Sequence, residues 1–240
     1  MTARYDLYLE SGPQHRKTWI YVPGLPGCST VAPTSAQAFE AAYSAILERL
    51  EFLVRHGEPA SLLPSATEPL ELVVADHAID RKTLGFGQGS YPTDLEPMTR
   101  DEAARQLRWA GWSREELVAA ARAQTEPLTA GPATGGRSPA EILAHVAGAE
   151  WAYVSSTLGT LPGGSAAVAA IERAGDSPWA ALEDERAVLM GRLRAMTEVE
   201  LATIVERGEG RPPRSARRMM RRLLEHEWEH VRELRGRLGV

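Results

Sequence analysis

Cysteine, lysine and long apolar runs are all scarce in this sequence of 240 residues. The single cysteine, Cys28, excludes an internal disulfide, and such cysteine use is typical of a protein in a reducing compartment. No stretch reaches the roughly 18 consecutive apolar residues of a membrane helix, and the N-terminus lacks the apolar core of a signal peptide. We therefore expect a cytoplasmic protein with no membrane partner.

An excess of positive charge is also missing. The formal net charge is −5, with 27 Lys and Arg against 32 Asp and Glu, and this balance argues against a nucleic-acid partner. A hydrophobic fraction of 43% with 25% charged residues excludes intrinsic disorder. The length predicts one large or two modest globular domains.

The first third of the chain has the pattern of a small α+β domain. Tyr5, Leu7 and Leu9 alternate with polar residues, which predicts a half-buried strand. Residues 18–22 form a second β-branched and aromatic run, and residues 29–32 and 70–75 are further candidate strands. Thr34 is a suitable N-cap for an alanine-rich helix that ends near residue 57. The predicted order is therefore ββ(β)α(β).

These residues resemble a known family. The strand pair, the turn YVPGLPGC at residues 21–28 and the helix that ends in HGE at residues 56–58 are similar to the HicB-like domain over residues 4–60. HicB proteins are antitoxins that carry a separate DNA-binding segment. No helix-turn-helix or ribbon-helix-helix pattern follows here, so the resemblance implies only a partner-binding module, which we place at residues 1–78.

Residues 79–97 are rich in glycine and proline and predict a linker. Beyond it the apolar spacing is helical, and we predict no strands. Capping boxes at Thr99/Glu102 and Ser138/Glu141 begin two helices, of which the first has a possible break near Gly111. Two more are predicted at about residues 176–196 and 213–238. Four such helices predict a four-helix bundle over residues 98–240.

Three histidines lie within these predicted helices. His226 and His230 are one turn apart on the last predicted helix, at the edge of its apolar face. His145 lies on the second predicted helix, beside the side chains that face the core. Three imidazoles at such a margin can form a metal site with an open coordination position. The alternative is that each is an ordinary hydrogen-bonded histidine.

A second resemblance bears on that choice. Residues 140–146, which contain His145, and residues 221–230, which contain the His226/His230 pair, are similar to the DinB/YfiT-like superfamily over residues 97–237. The resemblance implies a four-helix bundle in which these three histidines bind a divalent metal (Zn, Ni, Fe or Mn). It also implies a homodimer.

His226, Glu227 and His230 also match the H-E-x-x-H signature of zinc proteases, in which Glu227 would be the general base. Only ten residues follow His230, and none of them is a histidine that could supply a downstream third ligand. Glu227 is instead a candidate acid/base or ligand-orienting group. The alternative is a buried carboxylate paired with an arginine of a neighbouring helix.

Residues 207–222 contain seven arginines and one glutamate. Arg218 and Arg222 are the candidates for binding the carboxylates of an anionic substrate. The alternative is a solvated helix face that is balanced by the acidic residues 183–185.

The DinB-like resemblance implies a metal-dependent transferase that uses a low-molecular-weight thiol and a small electrophile, with a role in detoxification or stress response. A thiol bound to a divalent metal loses its proton readily, which suits that chemistry. The alternative is a non-catalytic, metal-stabilised protein that binds a partner through the HicB-like module. A third hypothesis is metal-assisted hydrolysis with Glu227 directed at bound water.

Overall fold

A computed structural model describes residues 3–15, 17–59, 69–79, 90–133, 135–208 and 211–239. The chain forms two compact units, Met1–Glu96 with Glu206–Pro213, and Pro97–Val205 with Arg214–Val240. Residues 80–89 of the predicted linker lie outside the described residues, and the domain boundaries stay a prediction. In the described part of the chain, no helix is long and apolar enough to cross a membrane.

The first unit is a four-stranded sheet with one helix. Its elements are β1 (Ala3–Ser11), β2 (Thr18–Tyr21), β3 (Ser29–Ala32), α1 (Ser35–Arg55) and β4 (Leu70–Ala78). The strand order is β3-β2-β1-β4. The pairs β1/β2 and β2/β3 are antiparallel, and β4 lies parallel to β1. The predicted small sheet followed by a helical region is confirmed.

Helix α1 begins where the sequence indicates, because the Thr34 side chain accepts a hydrogen bond from the Gln37 amide. Its buried face runs through Ala38, Ala42, Ile46, Leu50 and Leu53. Two apolar residues of α1 lie off this face and are exposed, Phe39 by 37% and Val54 by 49%. Phe39 follows the buried Ala38, and Val54 follows the buried Leu53. Successive residues of an α-helix point about 100° apart, so each of the two exposed side chains points away from the buried face.

The turn before β3 is held by a buried arginine of α1. Arg49 Nε and Nη2 donate to the Pro26 carbonyl at 3.2 and 3.1 Å. Gly27 has φ +89°, and a Cβ there would lie 2.4 Å from Arg49 Nη2, so the position requires glycine. Cys28 in the same turn is buried and acts as a small apolar side chain.

The second unit is helical. Its elements are α2 (Arg100–Arg122), α3 (Pro139–Leu158), α4 (Gly164–Ala174), α5 (Trp179–Arg194), α6 (Glu198–Ala202), β5 (Ile204–Val205), β6 (Arg214–Ser215) and α7 (Ala216–Leu238). Both predicted capping boxes are formed, at Thr99/Glu102 and Ser138/Glu141. The predicted break near Gly111 is wrong, because α2 continues through that residue. The short helices and the β5/β6 pair were also missed, since each is too short to show a period.

The four long helices contact one another in a ring. Helix α7 packs against α2 and α3, α3 packs against α5, and α5 packs against α2, while α4 lies against α3 and α5. Side-chain caps fix where α2, α3 and α7 start, and buried apolar side chains of the four helices pack inside the ring. This arrangement places the histidine-bearing faces of α3 and α7 side by side.

Candidate metal centre

Three histidine side chains converge between α3 and α7. His145 comes from α3, and His226 and His230 come from successive turns of α7. The ring centroids are 4.9 Å apart for His145 and His226, 5.2 Å for His145 and His230, and 4.8 Å for His226 and His230. One nitrogen from each ring lies within 4.8 Å of the other two. The structure therefore brings together all three histidines that the sequence singled out.

The spacing of the nitrogens suits a single metal ion. His145 Nε2 and His226 Nε2 lie 3.1 Å apart. Two imidazole nitrogens that bind one ion at about 2.1 Å, with octahedral to tetrahedral angles, are about 3.0–3.4 Å apart. Nitrogen donors of this kind are preferred by zinc, nickel and iron. The His145 and His226 nitrogens already have this separation, and the three ligand nitrogens all lie within 4.8 Å of one another.

The orientation of the third imidazole is fixed by a carboxylate. His230 Nδ1 lies 2.8 Å from Glu233 Oε2, one turn further along α7. A carboxylate on Nδ1 holds the proton on that atom and leaves Nε2 as the ligand nitrogen. The hydrogen bond from His230 also lowers the pKa of Glu233. Glu233 was missed in the sequence, although its i+3 spacing from His230 is a readable signal.

Two of the imidazoles are held neutral. Burial, with the nearby Arg137 and His230, lowers the pKa of His145 to about 4. Burial, with His230 and Arg222, lowers the pKa of His226 to about 2. A metal binds the neutral imidazole, so near neutral pH no proton has to leave either ring before an ion enters.

The predicted substrate-binding arginines have different surroundings. Arg222 lies near the triad: its Nη2 is 3.4 Å from the Tyr153 hydroxyl, and the Tyr153 ring is 6.0 Å from that of His226. Arg222 Nη1 also donates to Glu225 Oε2 at 3.0 Å. Arg218 is half-buried, and its amide is bonded to the N-cap Ser215. Arg222 thus lies beside the histidines.

The alternative explanation of the arginine run, a solvated face balanced by residues 183–185, is wrong for three of its members. Arg221 and Arg222 are buried, and both donate to Glu225 of their own helix. Arg217 donates to Glu102 Oε1 and Oε2 at 2.9 Å. The i+3 and i+4 spacing along α7 supplies the acid for Arg221 and Arg222, and α2 supplies the acid for Arg217.

Glu227 points into the interior of the ring of helices. Its carboxylate is fully buried and accepts hydrogen bonds from Arg114 Nε at 2.5 Å and Arg186 Nη2 at 3.4 Å. Burial raises the pKa of Glu227, while Arg186 and Arg114 oppose that shift. The alternative in which Glu227 is paired with an arginine of a neighbouring helix therefore describes what the structure contains.

Glu227 belongs to a larger group, which we call the interior ion network: Arg114, Glu150, Glu185, Arg186 and Glu227. It draws one or two residues from each of the four long helices. Arg114 Nη2 donates to Glu150 Oε2 at 2.7 Å, and Glu185 accepts from the Trp151 indole at 2.8 Å. Three carboxylates face two guanidinium groups, so one negative charge has no counterpart within the network.

Burial and the excess of carboxylates together perturb the pKa of one member of the network. Burial and the neighbouring Glu150 raise the pKa of Glu185 to about 7. The sequence held a signal for these residues, because Arg114 continues the apolar stripe of Ala110 and Leu117 at helical spacing. A charged residue at a core position predicts a buried partner, but the partner's identity requires the fold.

Two connected cavities lie between α3 and α4, next to the triad. A pocket of about 440 Å³ has His145 in its wall, together with Arg137, Glu141 and Glu172. A cavity of about 850 Å³ shares Gly148, Val168 and Glu172 with it. The two volumes are in the range of small-molecule sites, and the exposed side of His145 opens on the smaller one.

Comparison with known proteins gives one result. A family model described as the DinB superfamily matches residues 95–234, which is more than half of the chain. The matched region contains the three histidines and the interior ion network. No curated protein and no solved structure gives a significant match.

Proposed function

The chain belongs to the DinB superfamily, and from that premise we propose that it binds a divalent metal and transfers a low-molecular-weight thiol to a small electrophile. The observation that carries the proposal is the convergence of three imidazoles from two helices, with ligand atoms within 4.8 Å of one another. The ring of four long helices supports the family's four-helix bundle as the scaffold.

A divalent ion held by His145, His226 and His230 would supply Lewis acidity that lowers the pKa of a bound thiol. Three protein ligands leave a coordination position open, as catalytic metal sites require. In the transfer, the thiol sulfur forms a bond to the electrophilic carbon. The leaving group departs with its bonding electrons, and the thiol proton passes to solvent.

The protein's own side chains orient the reactants in this proposal. Glu233 holds the His230 ring through Nδ1. Arg222, with Arg218 nearby on the same helix, binds the carboxylates of the thiol, because a guanidinium recognises a carboxylate through two parallel hydrogen bonds. The pocket beside His145 between α3 and α4 receives the electrophile.

The test has two stages. Protein purified without a histidine tag is expected to hold about one divalent ion per chain by elemental analysis, and the triple variant His145→Ala, His226→Ala, His230→Ala is expected to hold none. The matched control is His56→Ala, in the other compact unit. Absence of metal from the wild type after reconstitution would overturn the metal site.

The second stage measures the chemistry. Loaded protein is mixed with glutathione, mycothiol or bacillithiol and a panel of electrophiles, and conjugates are measured by mass spectrometry. We expect conjugation that requires the metal and the three histidines. Full metal occupancy with no conjugation across the panel would reject the transferase and favour the non-catalytic, metal-stabilised alternative.

For the first unit we propose a HicB-like partner-binding module. Its order of three strands, one helix and a fourth strand, and the turn at residues 22–28 held by Arg49, support this proposal. Affinity capture with this unit present and deleted would test partner binding. We also propose a homodimer in the cytoplasm, to be measured by light scattering.

The hydrolase hypothesis receives no support from the geometry. A general base has to reach the water that it deprotonates. The Glu227 carboxylate is instead engaged by Arg114 and Arg186 in the interior ion network.

A further inference from the structure

A separate pocket of about 290 Å³ lies between α2 and α5. No residue of the histidine triad takes part in its lining. Its apolar wall consists of Val118 on α2 and Leu182, Ala187 and Met190 on α5. The lining residues of α5 run from one end of that helix to the other, which at 1.5 Å per residue is about 22 Å. The pocket is therefore an elongated apolar groove.

Both ends of this groove carry an arginine. At one end, the Arg122 guanidinium lies over the Trp179 ring, 4.6 Å from its centroid. At the other end is Arg194, the last residue of α5. Among the residues that the structure describes, neither arginine has an acidic partner. Their positive charge is thus available to a ligand.

The remaining charges of the lining do not cancel these two. Arg114 and Arg186 form part of the floor, but their charge is already neutralised by the carboxylates of the interior ion network. Among the described residues that line the groove, Glu183 is the one acidic side chain, and it is exposed. Two arginines against one glutamate leave the groove with a positive balance.

We propose that the groove between α2 and α5 binds an amphiphilic organic anion, a carboxylate or sulfonate on a flat or extended apolar body, independently of the metal centre. The apolar wall binds the body by the hydrophobic effect. Arg122 anchors the anionic head, because its stacking on Trp179 holds the guanidinium in place and reduces the entropy lost on binding. The groove volume of about 290 Å³ is at the lower end of the range of small-molecule pockets, so it suits one small ligand.

The probe is anilinonaphthalene sulfonate, whose fluorescence rises in an apolar site. Its neutral relative N-phenyl-naphthylamine measures the contribution of the apolar wall alone. We expect saturable binding of one sulfonate probe per chain, tighter than that of the neutral probe and displaced by decanoate. The triple histidine variant should bind the probe equally well, which separates this proposal from the proposed function.

Four variants locate the site. Arg122→Ala and Arg194→Ala should each weaken the sulfonate probe about fivefold, since a partly exposed ion pair contributes up to about that factor. Neither should alter the neutral probe. Glu183→Gln should tighten the sulfonate probe, because it removes the one like charge. Ala187→Trp should block both probes, since the new side chain enters the groove from an exposed helix position.

Arg173→Ala is the matched control, an exposed arginine on α4 outside the groove, and it should change nothing. Circular dichroism of every variant checks that the helices are intact. Sulfonate binding that is unaffected by Arg122→Ala, Glu183→Gln and Ala187→Trp would overturn the proposal. So would equal affinity for the charged and the neutral probe.

Discussion

The interior ion network gives a prediction that can be worked out from the structure. Arg114→Met removes the guanidinium that lies 2.5 Å from Glu227 Oε1 and 2.7 Å from Glu150 Oε2. The variant leaves Arg186 alone with three carboxylates that are each no more than 2% exposed. Breaking a buried ion pair on one side costs about 3–5 kcal/mol, because the other charge is left without compensation.

The expected loss can be measured by thermal unfolding of the metal-free protein, since a bound ion would add its own stabilisation. For a chain of this size each 1 kcal/mol lowers Tm by roughly 2–4 °C. We therefore expect Tm to fall by roughly 6–20 °C. The loss should be smaller near pH 5 than near pH 8, because Glu185, whose pKa is raised to about 7, is protonated at the lower pH and no longer adds a negative charge for Arg114 to compensate.

The control is Arg100→Met on the same helix. Arg100 pairs with Glu198 at 2.5 Å, but the two side chains are 54% and 70% exposed, and such pairs contribute about 1 kcal/mol or less. The double variant Arg114→Met, Glu227→Gln should lose less than the sum of the two single losses. If Arg114→Met destabilised the protein no more than the control, the network would not carry the stability assigned to it.

Three further predictions concern pH, the metal ligands and packing. The pKa of Glu185 is raised from 4.5 to about 7, so between these values the native state holds a proton that the unfolded chain has lost, and the free energy of unfolding should fall as pH rises. In urea unfolding, the free energy of unfolding of Glu185→Gln should depend less on pH than that of the wild type. Glu233→Ala should weaken zinc about 10–100-fold in a chelator competition assay, because His230 loses its orienting carboxylate. Gly164→Ala should lower Tm although alanine favours helices, because its Cβ would lie 2.4 Å from Trp151 Cε3.

Each of these three has an internal check. His145 and His226 have lowered pKa values and give the opposite pH trend, but they are the same in wild type and Glu185→Gln and cancel in the comparison. Glu198→Ala, at an exposed acid of α6, should leave zinc affinity unchanged. Gly191→Ala, where a Cβ meets nothing within 4 Å, should not lower Tm. Equal effects of Gly164→Ala and Gly191→Ala would contradict the packing argument.

Local signals in the sequence determined where the main elements begin and which histidines share a face. Thr34, Thr99 and Ser138 were readable as N-caps because capping depends on residues three positions apart. The pairing of His226 with His230 followed from one helical turn. The position of His145 at the core margin of its own helix allowed it to join them, and the family resemblance implied that it does.

Tertiary structure decided the contacts that join residues far apart in the chain. The sequence allowed several partners for Glu227, and only the packing of α7 against α2 selected Arg114, which is 113 positions away. The parallel pairing of β4 with β1 and the short helix α4 likewise depend on what each segment packs against. Local patterns are set by neighbours within a turn or a strand, whereas the charges that meet in the interior depend on how four helices close around one another.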